Sequence, residues 1–278
     1  TAFTQIASER LGVDPARVQV RWGDSASRDA GRGNGGSGAL TVGGSAVLGA
    51  TDKIIARGRR IAARMLEAAP EDIVFRDGRF SVTGSDRGVT LGSVARTAYQ
   101  PRQLPSGMEP GFSETSAFTP PAVTFPNGCQ VCEVEIDEET GAVRIVRHTV
   151  VDDVGTMVNP MLVEGQIHGG VVQGLGQGLF EELTYEPATG QLLAGSFMDY
   201  AMPRADDVPF FDVDSHGVPT KVNLLGAKGV GEAGTVGALP ALVNAVNDAL
   251  APLGVRHLDM PVTPERVWRA IREATGAG

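Results

Sequence analysis

A chain of 278 residues has room for one large domain or two modest ones, and a formal charge of −9 with no basic run to overturn it argues against nucleic acid or anionic membrane as a partner. The apolar stretches are broken by Gly, Gln or charge within about a dozen residues, short of the ~20 a membrane span needs, and two cysteines exclude a disulfide framework. The 37 glycines are nearly twice the usual ~7% and cluster at Gly31 to Gly44, Gly165 to Gly178 and Gly226 to Gly237, beside apolar-periodic segments, which favours turns that cradle a ligand over flexible linkers.

In chain order, an opening Thr1-Ala-Phe-Thr4 without initiator Met or signal-peptide regions reads as a piece of something longer, with a cytoplasmic location expected, or a periplasmic one if the complete protein carries an export signal. Phe3 to Leu11 has helical spacing and stops at Gly12, and Val18 to Trp22 alternates like a strand. After the first glycine cluster, Ala39 to Ala69 reads as one long helix stopped by Pro70. Strands Ile73 to Phe75 and Arg79 to Val82 flank Asp77-Gly78, a hairpin signal, and Thr90 to Tyr99 fits a short helix. The Pro/Gly/Ser-rich stretch from Pro101 to Pro126 reads as a long connection, dividing a first lobe (1–115) from a second (116–278).

Gly128 to Asp137 and Ala142 to Asp152 form a second hairpin around Glu-Glu-Thr-Gly. Asn159-Pro160 caps a helix whose periodicity runs to Leu183, strands and irregular segments fill 184–225 with Pro219 to Leu225 extended, and helices follow at Val236 to Leu250 and Pro264 to Ala274, the latter capped by Thr263. The expected class is α+β: two lobes of mostly antiparallel sheet packed against helices.

Gly31-Arg-Gly-Asn-Gly-Gly36 fits G-x-G-x-x-G, but the preceding strand ends too early and the following helix is too long for a compact βαβ unit, so a dinucleotide fold is disfavoured. What survives is an anion site: backbone N–H groups at a helix start, with Ser37 adding a hydroxyl. Gly229-Val-Gly-Glu-Ala-Gly234 puts a carboxylate where a phosphate would lie. Glu232 is then either a helix-dipole carboxylate or a general base on a Gly-flanked loop, and composition alone leaves both open. Cys129 and Cys132 on one strand face opposite sides and read as packing cysteines. Gly170, Gly174 and Gly178 recur every fourth residue, a bare helix face for a close-packed neighbour, with Gln166, Gln173 and Gln177 able to match a heterocycle edge. Glu164 and His168 read as a helix-surface contact rather than zinc ligands.

Several stretches, in this order, resemble the molybdenum hydroxylases, the family of xanthine dehydrogenase, aldehyde oxidoreductase and aerobic carbon monoxide dehydrogenase large subunits. They are Thr4-Gln-Ile-Ala-Ser-Glu-Arg-Leu-Gly12, the Gly23-Asp24 to Gly44 loop, Val151-Asp-Asp-Val-Gly to Asn159-Pro160, Glu164-Gly-Gln-Ile-His-Gly-Gly to Gly178, Met198-Asp-Tyr-Ala-Met-Pro203 and Leu225-Gly-Ala-Lys-Gly-Val-Gly-Glu-Ala-Gly-Thr235. The resemblance covers nearly the whole chain and corresponds to the second half of the molybdopterin-binding region. It implies Glu232 as the base at the Mo–OH group, with water as oxygen source and an aldehyde, N-heterocycle or similar small molecule as substrate. It places Gly36, Ser37, Gly38, Ala39, Asp153, Val154, Gln166, Lys228, Gly229, Val230 and Gly231 at the cofactor, with no protein ligand to the metal. The cofactor implied is molybdopterin with molybdenum, in the cytosine dinucleotide form common in bacterial relatives. Gly38 departs from the family loop, which carries Arg there, and removes a charge-assisted contact. Iron–sulfur clusters and FAD would lie on partner chains or domains, since two cysteines cannot hold clusters that each take four, and the remaining molybdopterin-binding half would be a further partner. The alternative is a cofactor-free assembly or binding module that keeps the fold.

Overall fold

The computed structural model describes residues 1–27, 31 and 33–276. It contains two compact units: Thr1–Val123 with Thr220–Ala227, and Thr124–Pro219 with Lys228–Gly278. The chain passes from the first to the second at 123/124, and the later segment Thr220–Ala227 returns to the first.

In the first unit, α1 (Ala2–Leu11) ends at Gly12, whose φ of 61° supplies the left-handed residue that closes a helix. Ala39 to Leu66 is helical as expected but in two registers: a π-helical turn over Ala39–Gly44, then α2 (Ser45–Leu66). Glu67, at φ 50°, ends α2 before Pro70 is reached. β1 (Ile73–Arg76) and β2 (Arg79–Val82) pair antiparallel around Asp77 and Gly78, both at positive φ as a two-residue hairpin turn requires. A third strand, β3 (Gly88–Thr90), joins β2, and Thr90 then caps α3 (Leu91–Thr97) by accepting the Ser93 amide. Ile61 and Ala62 of α2, Ile73, Phe80, Val94 and Ala98 form a buried core. Val18 to Trp22 is not a strand: among the described residues no strand pairs with it, and Trp22 is 80% exposed. Alternation alone does not satisfy a ladder. Between Pro101 and Pro126 the backbone is irregular apart from a 3-10 turn at Pro101–Gln103.

In the second unit, β4 (Asn127–Ile136) and β5 (Val143–Asp153) form the expected hairpin, paired from Asn127 with Asp153 to Ile136 with Val143, with a bulge at Glu133/Val134. β6 (Asp212–Ser215) adds to β5 in parallel, the only strand found in 184–225. Asn159 caps α4 (Pro160–Leu179) by accepting the Leu162 amide at 3.0 Å. That helix stops short of the expected Leu183 because the Gly178 carbonyl takes the Val262 amide at 2.7 Å, while the amides of Phe180 and Glu181 both close on Gly176. Pro219 to Leu225, expected extended, is instead a series of bends and turns. There Asn223 accepts the Leu225 and Ala227 amides and donates to the Ala227 carbonyl. α5 (Ala233–Leu250) starts three residues earlier than its periodicity indicated, and α6 (Pro264–Thr275) begins after Thr263, whose carbonyl, not its hydroxyl, makes the first bond.

The expectation of only short apolar runs fails for α5, which with its following 3-10 turn (Ala233–Leu253) is long and apolar enough to cross a membrane by length and composition. Its buried residues are Gly234, Ala238, Leu242, Val246 and Leu250, one every fourth position, and this stripe packs into the unit's hydrophobic core as a core helix would. The partner of that stripe is the glycine face of α4. A Cβ at Gly174 would lie 2.9 Å from the Thr235 carbonyl oxygen and 3.0 Å from Ala238 Cβ, and one at Gly178 would lie 2.7 Å from Leu242. The bare face therefore exists for close helix packing. Replacing Gly174 with Leu should cost about 3 kcal/mol through overpacking. Gly165→Ala, on the open side where a Cβ meets nothing within 4 Å, should be neutral or stabilising by about 0.5–1 kcal/mol. Thermal midpoints of the two purified variants check the contrast.

Candidate functional site

The sequence-derived site residues fall in both units. Gly36 to Ala39 belong to the first, where Gly36 (φ 60°) and Ser37 (φ 53°) form a tight turn closed by the Gly38 amide on the Gly35 carbonyl at 3.3 Å. Gly38 is the N-cap of the π-helical turn and Ala39 its first, exposed residue, so this short stretch ends in backbone amides at a helix start. Of the G-x-G-x-x-G run, Arg32 lies outside the described residues. Among the described residues the strands of this unit pair only antiparallel, which gives the dinucleotide reading no βαβ unit there to occupy.

The second unit carries Asp153, Val154, Gln166, Lys228 and the 229–232 loop. Glu232 is exposed and occupies the N-cap position of α5, with the Val236 amide closing on its carbonyl at 3.2 Å. The loop that carries it is fastened at its start to the end of β5. The Lys228 amide donates to the Val154 carbonyl at 2.8 Å, and the Lys228 ammonium meets Asp153 Oδ2 at 2.5 Å, with only 11% and 16% of the two side chains exposed. Asp153 Oδ1 accepts two backbone amides, from Gly155 at 2.9 Å and Val218 at 2.8 Å. Burial would push this carboxyl up, but the Lys228 ammonium and the amides of Val218 and Gly155 outweigh it and hold the pKa at about 2. Both side chains are thus committed to holding the loop. Neither is presented as a free charge for a ligand.

Past Glu232, the loop is fastened again. The Gln130 side-chain amide on β4 donates to the carbonyls of Gly234 (3.0 Å) and Ala233 (3.4 Å), the first residues of α5. Its oxygen lies 2.9 Å from Nε2 of His148, a fully buried residue on β5. Neither Gln130 nor His148 figured among the sequence-derived site residues. The available signal was a polar residue in the inward phase of a strand: Gln130 shares its phase with Cys132, Val134 and Ile136. Thr235, also missed, sets its hydroxyl 2.9 Å from the Gly170 carbonyl and 2.8 Å from the Gln173 amide oxygen, tying the head of α5 to α4.

The remaining candidates behave as packing or surface groups. Cys129 is exposed and Cys132 faces inward, its thiol pushed up to about 11 by burial and then by the Glu133 charge. His168 lies 4.0 Å from Glu164 on one turn of α4 and packs on Phe211. Among the described residues no three His, Cys, Asp or Glu side chains gather as metal ligands. On α4, Gly165 and Gly169 leave open space where a Cβ would project, with Gln166 exposed between them, a bare strip bearing one amide.

Comparison with known proteins places the chain in a family. A family model described as a molybdopterin cofactor-binding domain matches residues 1–209. The chain belongs to this molybdopterin-binding family. It is 39% identical over 274 residues to the carbon monoxide dehydrogenase large chain of Hydrogenophaga pseudoflava and 40% identical over 274 residues to the nicotine 6-hydroxylase large subunit of Paenarthrobacter nicotinovorans. Each alignment covers 98% of this chain and 34% of the relative. The structure of reconstituted CO dehydrogenase from Oligotropha carboxidovorans matches with a TM-score of 0.93 at 34% identity, over 100% of this chain and 34% of that one. The chain spans about a third of the length of the relatives it matches. The α+β class is that of these molybdenum enzymes, and the residues present fit a molybdopterin. The bare α4 strip with the Gln166 amide suits the edge of a flat heterocycle, and the 36–39 turn suits an anion.

Proposed function

We propose that this chain holds molybdopterin in its cytosine dinucleotide form and sets Glu232 beside it as the general base of a hydroxylase. The substrate would be a small molecule such as carbon monoxide, an aldehyde or an N-heterocycle, with water as the oxygen source. One observation carries the reading: an exposed carboxylate at the head of α5, on a loop fastened at both ends to the β4–β5 hairpin. Bound cofactor supplies the two-electron oxidation. The 36–39 turn, with the Ser37 hydroxyl, would receive its phosphate, and Gly38 in place of Arg leaves that contact to backbone amides. Gln166 would meet the heterocycle edge, and the Gly229-Val230-Gly231 backbone would lie close to the reacting centre because two of its three residues lack a side chain. Asp153, Val154 and Lys228 serve the cofactor indirectly, by holding that loop. Glu232 accepts a proton as the attacking oxygen forms its bond to the substrate carbon.

The remaining molybdopterin-binding half, an iron–sulfur subunit and an FAD subunit would complete the enzyme. The test is molybdenum per chain, together with the nucleotide released by acid, in the complex purified gently from its native source. Close to one molybdenum per chain with a cytidine nucleotide is the expected result. Absence of both from an intact complex would overturn the reading in favour of a cofactor-free binding module, the role that the loss of the loop arginine at Gly38 favours.

A further inference from the structure

Resting on the assignment of Glu232 as base, we propose that Gln130, oriented by His148, is a positioning residue that fixes the head of α5 and with it the Glu232 carboxylate. The hydrogen-bond roles in this chain of groups are forced. Both partners of the Gln130 nitrogen are backbone carbonyls, which only accept, so that atom is the amide NH2 and the other is the oxygen. Oε1 then faces His148 Nε2, which must donate, and the imidazole carries its proton on Nε2. His148 is fully buried, and burial depresses its pKa, in keeping with a neutral ring and a single tautomer. Its Nδ1 has no hydrogen-bond partner among the described residues, so the ring's one strong bond is the one to Gln130. The edge of Phe211 packs against the ring at 5.7 Å and holds its plane.

The receiving end is shaped for this amide. A Cβ at Gly237 would lie 2.5 Å from Gln130 Nε2 and 2.6 Å from its Cδ, so the absence of a side chain one turn into α5 is what lets Gln130 reach the Ala233 and Gly234 carbonyls. Those carbonyls belong to the two residues directly after Glu232. Pro240 sits inside the same helix and has no amide to give Val236, which weakens the ladder in the turn Gln130 braces. With Lys228 tied to Asp153 at the start of the loop, Glu232 stands between two anchors on neighbouring strands. Loss of one anchor frees the carboxylate without removing it.

Two variants reach the same bond from opposite ends. Gln130→Leu keeps the volume but removes the donor, and Gly237→Ala displaces the amide while adding helix propensity. In the assembled, molybdenum-loaded protein, either should raise hydrogen exchange at the 233–238 amides about tenfold, leave the 244–250 amides unchanged, and keep the molybdenum content. With carbon monoxide, benzaldehyde or nicotine, whichever the enzyme oxidises with a dye acceptor, kcat should fall roughly ten- to a hundredfold at a KM within about twofold. Unchanged exchange at 233–238, faster exchange along all of α5, or an unchanged kcat at full molybdenum would each overturn the proposal. The exchange measurement tests the anchor whether or not Glu232 is the base. Should Glu232→Gln keep its turnover, the base assignment fails separately.

Discussion

Glu232→Gln should lower turnover of the assembled, molybdenum-loaded enzyme by about 10²–10⁴-fold, the usual contribution of a general base, while leaving molybdenum content and thermal midpoint close to those of the native protein. The substitution is near-isosteric and removes only the charge and its proton affinity. The side chain makes no capping bond to the α5 amides. What the native carboxylate contributes to the helix dipole is about 0.3–1 kcal/mol. The two readings left open by composition therefore predict different things. A dipole carboxylate costs a few tenths of a kcal/mol and no activity; a base costs activity and almost no stability. Dye-coupled turnover and a melting curve on one preparation separate them, and turnover at the native rate would end the assignment.

The parts of this chain that were legible in its sequence are those decided locally. Asp77-Gly78 announced a hairpin because only residues tolerant of positive φ make that turn, and Asn159-Pro160 announced a helix start because one supplies the cap and the other needs no amide. The stripe Gly170, Gly174, Gly178 announced close packing since periodicity of four on a helix is one face, although the identity of the packed neighbour, α5, lay some sixty residues away. Decisions made by distant partners were not legible. Val18 to Trp22 alternates well, but no distant strand takes it up. The bulge at Glu133/Val134 shifts the phase of the β4–β5 pairing next to His148, and without that register His148 does not stand out as an inward residue. Asp153 was singled out through the family resemblance as a cofactor contact; in the structure its carboxylate meets Lys228, 75 residues on, and accepts two amides. The same side chains are named by sequence and by structure, with different work assigned to them.

Removing the charge of Asp153 should be the most damaging conservative change in the second unit. In Asp153→Asn, Oδ1 still accepts the Gly155 and Val218 amides, but an NH2 group now faces the Lys228 ammonium. The charge on a lysine side chain only 11% exposed is then left without its partner, at a cost of about 3 kcal/mol. Lys228→Met combined with Asp153→Asn should cost less than the sum of the single changes, because no unpaired buried charge remains. The loss also has a pH signature. The folded carboxyl titrates at about 2 against an ordinary value of 3.8, so between those values the folded state binds fewer protons than the unfolded chain. The stabilisation is therefore full above about pH 4 and lost as pH falls toward 2. Protonation of the native carboxyl abolishes the same charge that the variant lacks. The stability gap between native protein and Asp153→Asn, measured by denaturant unfolding at a series of pH values, should be constant from neutrality to about pH 5 and narrow below about pH 4. A gap that stays constant through the acid range would mean that the hydrogen-bond geometry at Asp153, rather than its charge, holds the loop.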